Sequence, residues 1–335
     1  MLSVSIIIPT LNSTRTLGLC LKSITSQNYP EELVEIIVAD GGSTDQTKEI
    51  SQAYFVKLVD NPLKTGEAGK AVAARLAKND ILAFIDSDNI LPQPDWLTKM
   101  LQPFMDQSII ASEPLFYSYR SNDSYLSRYF ALLGMSDPIC LFLNNYDRYS
   151  YITNNWTGLR PKTIKHNNYL EVILDNKGNL PTIGANGFLI RRDVYQKAQK
   201  GDYFFDIDLL SKLISQSAIK VAKVKIGIVH LFSNNLSSFY RKQSRRIKDY
   251  LYFKKQDQRN YSWQKQSKKG LLKFILSSLL VFPLIFQAIK GYLRKADWVW
   301  LIHPLICEIT FFTYALGYIS SFKQLKPASR SNWRQ

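Results

Sequence analysis

The chain has 335 residues, 46% of them hydrophobic, and carries 43 lysines and arginines against 27 aspartates and glutamates, a formal net charge of +16. This apolar content excludes a disordered chain, and the length suits one large domain with appendages. The positive charge predicts an anionic partner, such as a nucleotide diphosphate, an anionic lipid or a nucleic acid. The three cysteines lie far apart in the sequence and indicate neither a disulfide framework nor a zinc site.

The first hundred residues alternate strand-like and helix-like segments. The predicted strands are 4–8, 33–39, 55–59 and 81–85, and the predicted helices are 14–27, 45–54 and 68–77. Such alternation is typical of βαβ units, so we expect an α/β fold with a mostly parallel central sheet.

Acidic residues follow two of these strands. The segment Asp40-Gly41-Gly42-Ser43-Thr44-Asp45 comes after the second strand, and Asp86-Ser87-Asp88 comes after the fourth. Open α/β sheets bind ligands beyond the carboxyl ends of their strands. Two acidic clusters at that edge favour a nucleotide with its divalent metal over a bare phosphate cradle.

The middle of the chain is harder to assign. Residues 110–180 are rich in Tyr, Asn and Ser, and we expect further sheet and loops on the acceptor side. Order returns over 183–230, with a turn and strand at 184–190, a helix near 208–216 and a strand near 222–229.

The C-terminal part combines basic and apolar segments. Eleven basic residues fall between Arg241 and Lys269, before the apolar stretches Leu271–Ile289 and Trp298–Ile319. Both stretches reach the length that spans a bilayer, and a basic cluster beside them favours an anionic cytoplasmic leaflet. We expect a transmembrane helical hairpin with both ends cytosolic; the alternative is two helices lying in the interface. The N-terminus lacks a signal-peptide pattern, so we expect the preceding domain to be cytosolic.

Three motifs in order resemble those of glycosyltransferase family 2, the inverting transferases with a GT-A fold. They are Ser3–Asn12, Asp40–Asp45 and Asp86–Asp88, and the resemblance covers roughly residues 3–250. It implies a Rossmann-like nucleotide-diphospho-sugar transferase that uses Mg²⁺ or Mn²⁺ and moves a sugar to an acceptor hydroxyl or lipid phosphate.

The resemblance also implies the donor-binding residues. Those at the nucleoside and diphosphate are Pro9, Thr10, Asn12, Asp40, Gly42, Asp86 and Arg246. Asp88 and Asp86 are implied at the metal, with His230 as a further metal or diphosphate contact. For Asp40 the alternative is ordinary turn chemistry. Arg246 belongs to Gln243-Ser244-Arg245-Arg246-Ile247, which partly resembles a Gln-x-x-Arg-Trp motif but has Ile in place of Trp.

The resemblance places the general base at Asp206, within Phe204-Phe205-Asp206-Ile207-Asp208. Phe205 stands where an acidic residue is common in the family, and Asp208 remains a rival or a helix cap. Gly184, Asn186 and Gly187 are implied in a loop under the donor sugar and the acceptor; a plain hairpin turn is the alternative.

We therefore predict a catalytic domain over 1–240, a basic juxtamembrane segment over 241–269, two hydrophobic helices over 270–322 and a basic tail over 323–335. The expected partners are a nucleotide-diphospho-sugar, a glycan or lipid-linked acceptor and membrane lipids. No nucleic-acid-binding signature is found, and Pro9-Thr10-Leu11-Asn12 replaces the glycine-rich turn of a dehydrogenase. The alternative function is a catalytically inactive, membrane-bound scaffold that binds nucleotide sugars.

Overall fold

A computed structural model describes residues 1–176, 180–184, 186–255 and 267–320. The N-terminal part has the predicted βαβ alternation. Its elements are β1 (Val4–Thr10), α1 (Thr14–Thr25), β2 (Val34–Asp40), α2 (Thr47–Ala53), β3 (Lys57–Asp60), α3 (Gly66–Leu76) and β4 (Ile81–Phe84).

The middle of the chain completes the sheet and adds helices to it. Its elements are β5 (Asn89–Ile90), α4 (Trp96–Leu101), β6 (Ile109–Ser118), α5 (Tyr125–Leu133), α6 (Ile139–Leu143), β7 (Lys162–Lys165), β8 (Tyr169–Leu174), β9 (Phe188–Arg191), α7 (Arg192–Ala198), α8 (Asp206–Gln216) and β10 (Ile219–His230).

The central sheet is mixed rather than mostly parallel, which corrects the prediction. Its order is β3-β2-β1-β4-β9-β6-β10-β8-β7, with β5 paired to β10. The strands β1 to β4 pair in parallel, as do β6 and β10, whereas β9, β8, β7 and β5 pair antiparallel to their neighbours. Antiparallel neighbours need only short connections, as between β7 and β8. Residues 110–180 have no periodic hydrophobic pattern, so the sequence did not predict the antiparallel strands in this region.

Apolar side chains fill both faces of the sheet. In β1, Ile7 belongs to the cluster on one face, while Val4, Ile6 and Ile8 belong to the cluster on the other. Successive side chains of a strand point to opposite faces, so a strand buried on both sides is apolar throughout. Burial of each such side chain stabilises the fold by about 1.5–3 kcal/mol and fixes the strand ends where the polar loops begin.

The C-terminal part is helical: α9 (Leu236–Lys255), α10 (Lys268–Leu280), α11 (Phe282–Arg294), a 3₁₀ turn (Trp298–Ile302) and α12 (His303–Ser320). The first predicted hydrophobic helix is instead two helices, α10 and α11, which bend by 96° at Val281. Pro283 explains the break, since its ring cannot donate to the helix and clashes with the preceding turn. The stretch Trp298–Ser320 is long and apolar enough to cross a membrane. The basic tail, residues 321–322 and part of the basic segment lie outside the described residues.

A third hydrophobic cluster joins the C-terminal helices to the rest of the chain. It combines Tyr129 and Phe142, from α5 and α6, with Phe274, Trp300 and Ile306 from the tail. The tail helices therefore pack on the α/β domain rather than extending away from it.

Candidate active site

Asp40, at the carboxyl end of β2, is held by the turn that follows it. Its Oδ2 accepts the N–H groups of Gly42 at 3.1 Å and Ser43 at 2.9 Å, and its Oδ1 accepts the Thr10 hydroxyl at 3.3 Å. Gly42 has φ +85°, a conformation that favours glycine and turns its N–H towards the carboxylate. These contacts also suit an ordinary turn, so contact between Asp40 and a nucleobase stays a prediction.

Asn12 links the loops after β1 and β2. Its Oδ1 accepts the Thr44 N–H at 2.9 Å, and its own N–H donates to the Ser43 hydroxyl at 2.8 Å. Pro9, predicted in this loop, lies instead inside buried β1, where a Cβ at Gly69 of α3 would lie 2.9 Å from its Cβ. The loop starts only after Thr10, because β1 continues two residues beyond the predicted strand.

Asp86 faces a buried lysine that the sequence did not single out. Lys70 of α3 is 7% exposed, and its Nζ lies 3.2 Å from the Asp86 Oδ1. Burial alone would lower the pKa of Lys70, but Asp86 and Asp206 raise it above its ordinary value. Lys70 is thus a charged ammonium near two predicted site carboxylates.

Asp88 lies between two basic side chains brought to it by the end of β10 and by α9. Its Oδ2 is 3.5 Å from the Nε2 of His230 and 3.8 Å from the Nζ of Lys242. Pairing of β5 with β10 brings His230 here, and the Leu231 N–H donates to the Asp88 carbonyl at 2.8 Å. Burial opposes ionisation of Asp88, but His230 and Lys242 outweigh it and lower the pKa of the carboxyl to about 2.

Asp88 and His230 form a small donor set for a metal ion. Among the described residues, no group of three or more His, Cys, Asp or Glu side chains is placed to hold a metal. Mg²⁺ is commonly held by one or two carboxylates plus substrate phosphates and water, so the ionised Asp88 fits a metal that binds with its nucleotide. Asp86 turns towards Lys70, and its part in metal binding stays a prediction.

Asp206 opens α8 and touches the loop of Gly184. Gly184 has φ +134°, and a Cβ built on it would lie 2.1 Å from the Cβ of Asp206. Only glycine allows the loop to approach the helix so closely. Asp208 lies in the same first turn of α8 and is buried, whereas Asp206 is half-buried and is the carboxylate near both Gly184 and Lys70.

Asn186 and Gly187 complete the predicted loop, of which Ala185 lies outside the described residues. The Asn186 Oδ1 accepts from Nδ2 of Asn89 at 2.9 Å, and its Nδ2 donates to the Tyr117 hydroxyl at 3.0 Å. Gly187 has φ +90°, and a Cβ there would lie 2.9 Å from Ile228. The side chain of Asn186 thus ties the loop to the turn that carries Asp88.

A cluster of buried charged side chains is hydrogen-bonded to the backbone of this loop. The Glu113 carboxylate accepts from Arg148 Nη1 at 2.7 Å, from the Gly184 N–H at 3.2 Å and from the ammonium of Lys223. Arg148 also donates to the Asn186 carbonyl at 3.3 Å. Since buried charges are costly unless paired and hydrogen-bonded, the cluster fixes the loop only while it stays complete.

Arg246 does not point to the Asp88 carboxylate. Its guanidinium donates to the Ser136 carbonyl at 3.1 Å, to Asp137 at 3.2 Å and to Gln243 at 2.7 Å. One helical turn earlier, the Lys242 Nζ lies 3.8 Å from the Asp88 Oδ2. The diphosphate contact of Arg246 stays a prediction.

Of the predicted site residues, the structure pairs Thr10 with Asp40, Asp88 with His230 and Asp206 with Gly184. Sequence reasoning missed several charged residues, of which the first four are buried and the last is half-buried: Lys70, Glu113, Arg148, Lys223 and Lys242. Lys223 could have been noticed, because it interrupts the otherwise apolar segment that forms the middle of β10. No periodic pattern in the sequence marked Glu113 or Arg148.

The fold and the carboxylates at the ends of β2 and β4 define a GT-A-type glycosyltransferase architecture. The chain belongs to glycosyl transferase family 2, whose family model matches residues 5–197. A 102-residue stretch is 33% identical to glycosyltransferase AglE of Haloferax volcanii, covering 29% of this chain and 33% of AglE. A 136-residue stretch is 29% identical to the UDP-Glc:alpha-D-GlcNAc-diphosphoundecaprenol beta-1,3-glucosyltransferase WfaP of Escherichia coli, covering 39% of this chain and 50% of WfaP. These matches span at most half the length of either relative.

A solved structure shares the fold over nearly the whole chain. It is the mannosyltransferase PcManGT from Pyrobaculum calidifontis in complex with GDP-Man and Mn²⁺, with a TM-score of 0.52 and 14% identity over 94% of this chain and 87% of that one. At this identity the likeness establishes the fold, including the mixed sheet, and nothing about the substrate.

Proposed function

We propose that this protein is a metal-dependent inverting glycosyltransferase. It would transfer one sugar from a nucleotide diphosphate to an acceptor hydroxyl or lipid phosphate at the cytosolic face of a membrane, for lipid-linked glycan or cell-surface polysaccharide synthesis. The observation that carries the proposal is the convergence of Asp88, His230 and Lys242 with the Lys70–Asp86 pair. This places an ionised carboxylate and fixed positive charge beside the strand ends where a nucleotide diphosphate would bind.

Asp206 is the proposed general base. As the acceptor oxygen bonds to the anomeric carbon, its proton would pass to the Asp206 carboxylate while the bond from that carbon to the diphosphate breaks. A single displacement of this kind inverts the anomeric configuration. The positive charges of Lys242 and Lys70 would stabilise the charge that develops on the leaving diphosphate. Mg²⁺ or Mn²⁺ at Asp88 would, when bound, add further positive charge there.

Membrane attachment and the lipid-linked acceptor rest on two supports. The C-terminal helices expose many apolar side chains, and the relative WfaP carries in its name an acceptor linked to diphosphoundecaprenol. An anchored catalytic domain would remain where lipid-linked acceptors reside.

The first test is donor turnover by the detergent-solubilised protein, with UDP-, GDP- and dTDP-sugars and with Mn²⁺, Mg²⁺ or EDTA. We expect one of the three kinds of donor to release its nucleotide, and only when metal is present. The turnover rate should fall about 100-fold or more in Asp88→Ala. The exposed Asp193→Asn serves as the matched control. Full turnover by a folded Asp88→Ala variant would contradict the assignment, and nucleotide binding without turnover would favour the inactive scaffold.

Asp206→Asn distinguishes the two classes of acceptor. A hydroxyl must lose a proton as it attacks, so we expect the variant to lose about 10²–10⁴-fold in rate with a hydroxyl acceptor. An ionised phosphate has no such proton to lose, and its transfer should be nearly unchanged. The measurement is transfer from the donor identified above to a sugar-bearing lipid and to a polyprenyl phosphate, side by side. Equal, wild-type rates with both would exclude Asp206 as the base.

A further inference from the structure

The helices α10, α11 and α12 each expose an apolar stripe on the side facing away from the catalytic domain. We call this surface the apolar plate and define it by Leu279 and Leu280 on α10, Phe286 and Leu293 on α11, and Leu305 and Leu316 on α12. A soluble helix normally turns its polar face outward. So many exposed large apolar side chains on three neighbouring helices favour an interaction site over ordinary exposure.

The opposite face of α12 is attached to the catalytic domain along almost its entire length. His303 Nδ1 lies 2.6 Å from the Tyr129 hydroxyl, Thr310 accepts from Gln243 at 3.3 Å, and Tyr314 donates to Asp137. Gly317 lies so close to Ile247 that an added Cβ would be 2.6 Å from it. These contacts run over about 21 Å of helix, at 1.5 Å per residue.

This attachment bears on how α12 can meet a membrane. A helix crossing the roughly 30 Å hydrocarbon core would carry its packed neighbours into the core with it. Those neighbours include the Arg246–Asp137 ion pair beside Tyr314 and the Arg128–Asp297 pair at the other end. Charged groups at that depth are costly, so the packing favours a helix parallel to the surface.

The charge around the plate indicates which surface it meets. Residues 267–320 carry six basic and two acidic side chains, and one of the acids, Asp297, is paired with Arg128. At the elbow of α10 and α11, a groove of about 370 Å³ is lined by Leu272, Leu276, Leu280 and Pro283 with Lys269 and Lys273. Apolar walls beside two ammonium groups match an acyl chain below a phosphate headgroup.

We infer that the apolar plate lies in the plane of one anionic leaflet of a bilayer, with α12 parallel to the membrane surface and not across it. The inference rests on the proposed membrane attachment and replaces the spanning hairpin expected from the sequence with its interfacial alternative. The plate enters the headgroup and upper acyl region, and the flanking lysines contact lipid phosphates.

The topology is tested with single cysteines at the two ends of the last helical segment, Ala296→Cys and Ser320→Cys, both exposed. The full-length protein is expressed in bacteria and treated with a membrane-impermeant maleimide, and labelling is compared with the parental chain. Its Cys20 and Cys307 are buried and its Cys140 is half-buried. We expect both new cysteines to react in inside-out vesicles and neither in intact spheroplasts. Labelling of the two ends from opposite faces overturns the inference.

Binding of the apolar plate to an anionic leaflet is tested by flotation of the purified protein with phosphatidylcholine vesicles, with and without phosphatidylglycerol. We expect binding to require phosphatidylglycerol, to weaken with salt, and to fall about tenfold or more in Phe286→Glu and Leu279→Glu. Met105→Glu, at an exposed apolar residue far from the plate, is the matched control. Failure of the wild-type protein to float with either vesicle, or equal flotation of all variants, overturns the inference. Donor turnover in detergent, measured on the same samples, reports separately on the proposed function.

Discussion

At the residue scale, the site pairs carboxylates with basic side chains that are buried or half-buried. Lys70 lies beside Asp86, and Lys242 and His230 lie beside Asp88. His230 and Lys242 lower the pKa of Asp88 and so keep that carboxylate ionised. In the proposed function the same positive charges would meet the diphosphate, so donor binding would require little rearrangement of these side chains.

Lys242→Met should lower kcat/KM for the nucleotide sugar by about 10²–10³-fold, the effect of removing one preorganised charge from a developing anion. Methionine keeps a flexible side chain without the charge, and the ammonium that it removes lies 4.7 Å from the Phe232 ring centroid. Lys248→Met, on the exposed side of the same helix, is the control and should be unchanged. Steady-state kinetics with the donor identified above give the measurement. Wild-type kinetics for Lys242→Met would remove this lysine from the proposed mechanism.

At the element scale, the site depends on how closely the loop of Gly184 approaches the start of α8. Neither element places Asp206 by itself, because the helix has only begun at that residue and the loop has positive φ angles at Gly184, Asn186 and Gly187. The Glu113 cluster holds the loop from the opposite side. The geometry of the proposed base is therefore set by three separate segments of the chain.

Gly184→Ala should impair both folding and catalysis. The new Cβ meets Asp206 at 2.1 Å in a conformation that disfavours side chains, so either the loop or the helix must move, at about 1–3 kcal/mol. Gly66→Ala, where an added Cβ meets nothing within 4 Å, should be neutral or slightly stabilising. Urea unfolding and acceptor transfer are measured on both variants. Unchanged transfer by Gly184→Ala would mean that the contact does not position Asp206.

The elements that could be predicted from the sequence are those with a repeating pattern. The strands β1, β2 and β4 are largely apolar, and acidic motifs begin at the end of β2 and just after β4, so the carboxyl edge of the sheet was predictable. Glu113 and Arg148 were not, because their pairing connects residues 35 positions apart in a region without periodicity. For Arg246, motif resemblance indicated a helix but not which turn of it lies nearest Asp88: Lys242, one turn earlier on the same face, lies nearer.

At the scale of the whole molecule, the catalytic domain and the tail share a hydrophobic core. Phe274 of α10 packs against Phe142 of α6 with ring centroids 5.2 Å apart, and Trp300 packs against Tyr129 of α5. The sequence placed a boundary between these parts because composition changes sharply near residue 240. Composition indicates whether a segment suits an aqueous or an apolar environment, but it does not indicate which residues its buried face packs against.

Phe274→Ala should therefore destabilise the catalytic part as well as the tail. Removal of this fully buried ring should cost about 3–5 kcal/mol and speed hydrogen exchange in α5, residues 125–133. Phe286→Ala, at an exposed position in the same apolar stretch, should stay within about 0.5 kcal/mol of wild type. Denaturant unfolding in mild detergent with hydrogen exchange checks both. If the hydrogen-exchange rates of α5 are the same in Phe274→Ala and in the wild type, the tail and the catalytic domain unfold independently.

Two consecutive residues of α9 contact different parts of the chain: Lys242 lies near Asp88, and Gln243 donates to Thr310 of α12. An α-helix with its side chains is about 10–12 Å across, so a diphosphate bound at Asp88 as proposed would lie within about one helix diameter of α12. With α12 at the leaflet, the transferred sugar would leave at a fixed height of roughly one helix above the lipid phosphates. The helix would then act as a ruler, favouring acceptors whose growing end stands close to the membrane and disfavouring long glycans that must fold back to reach it.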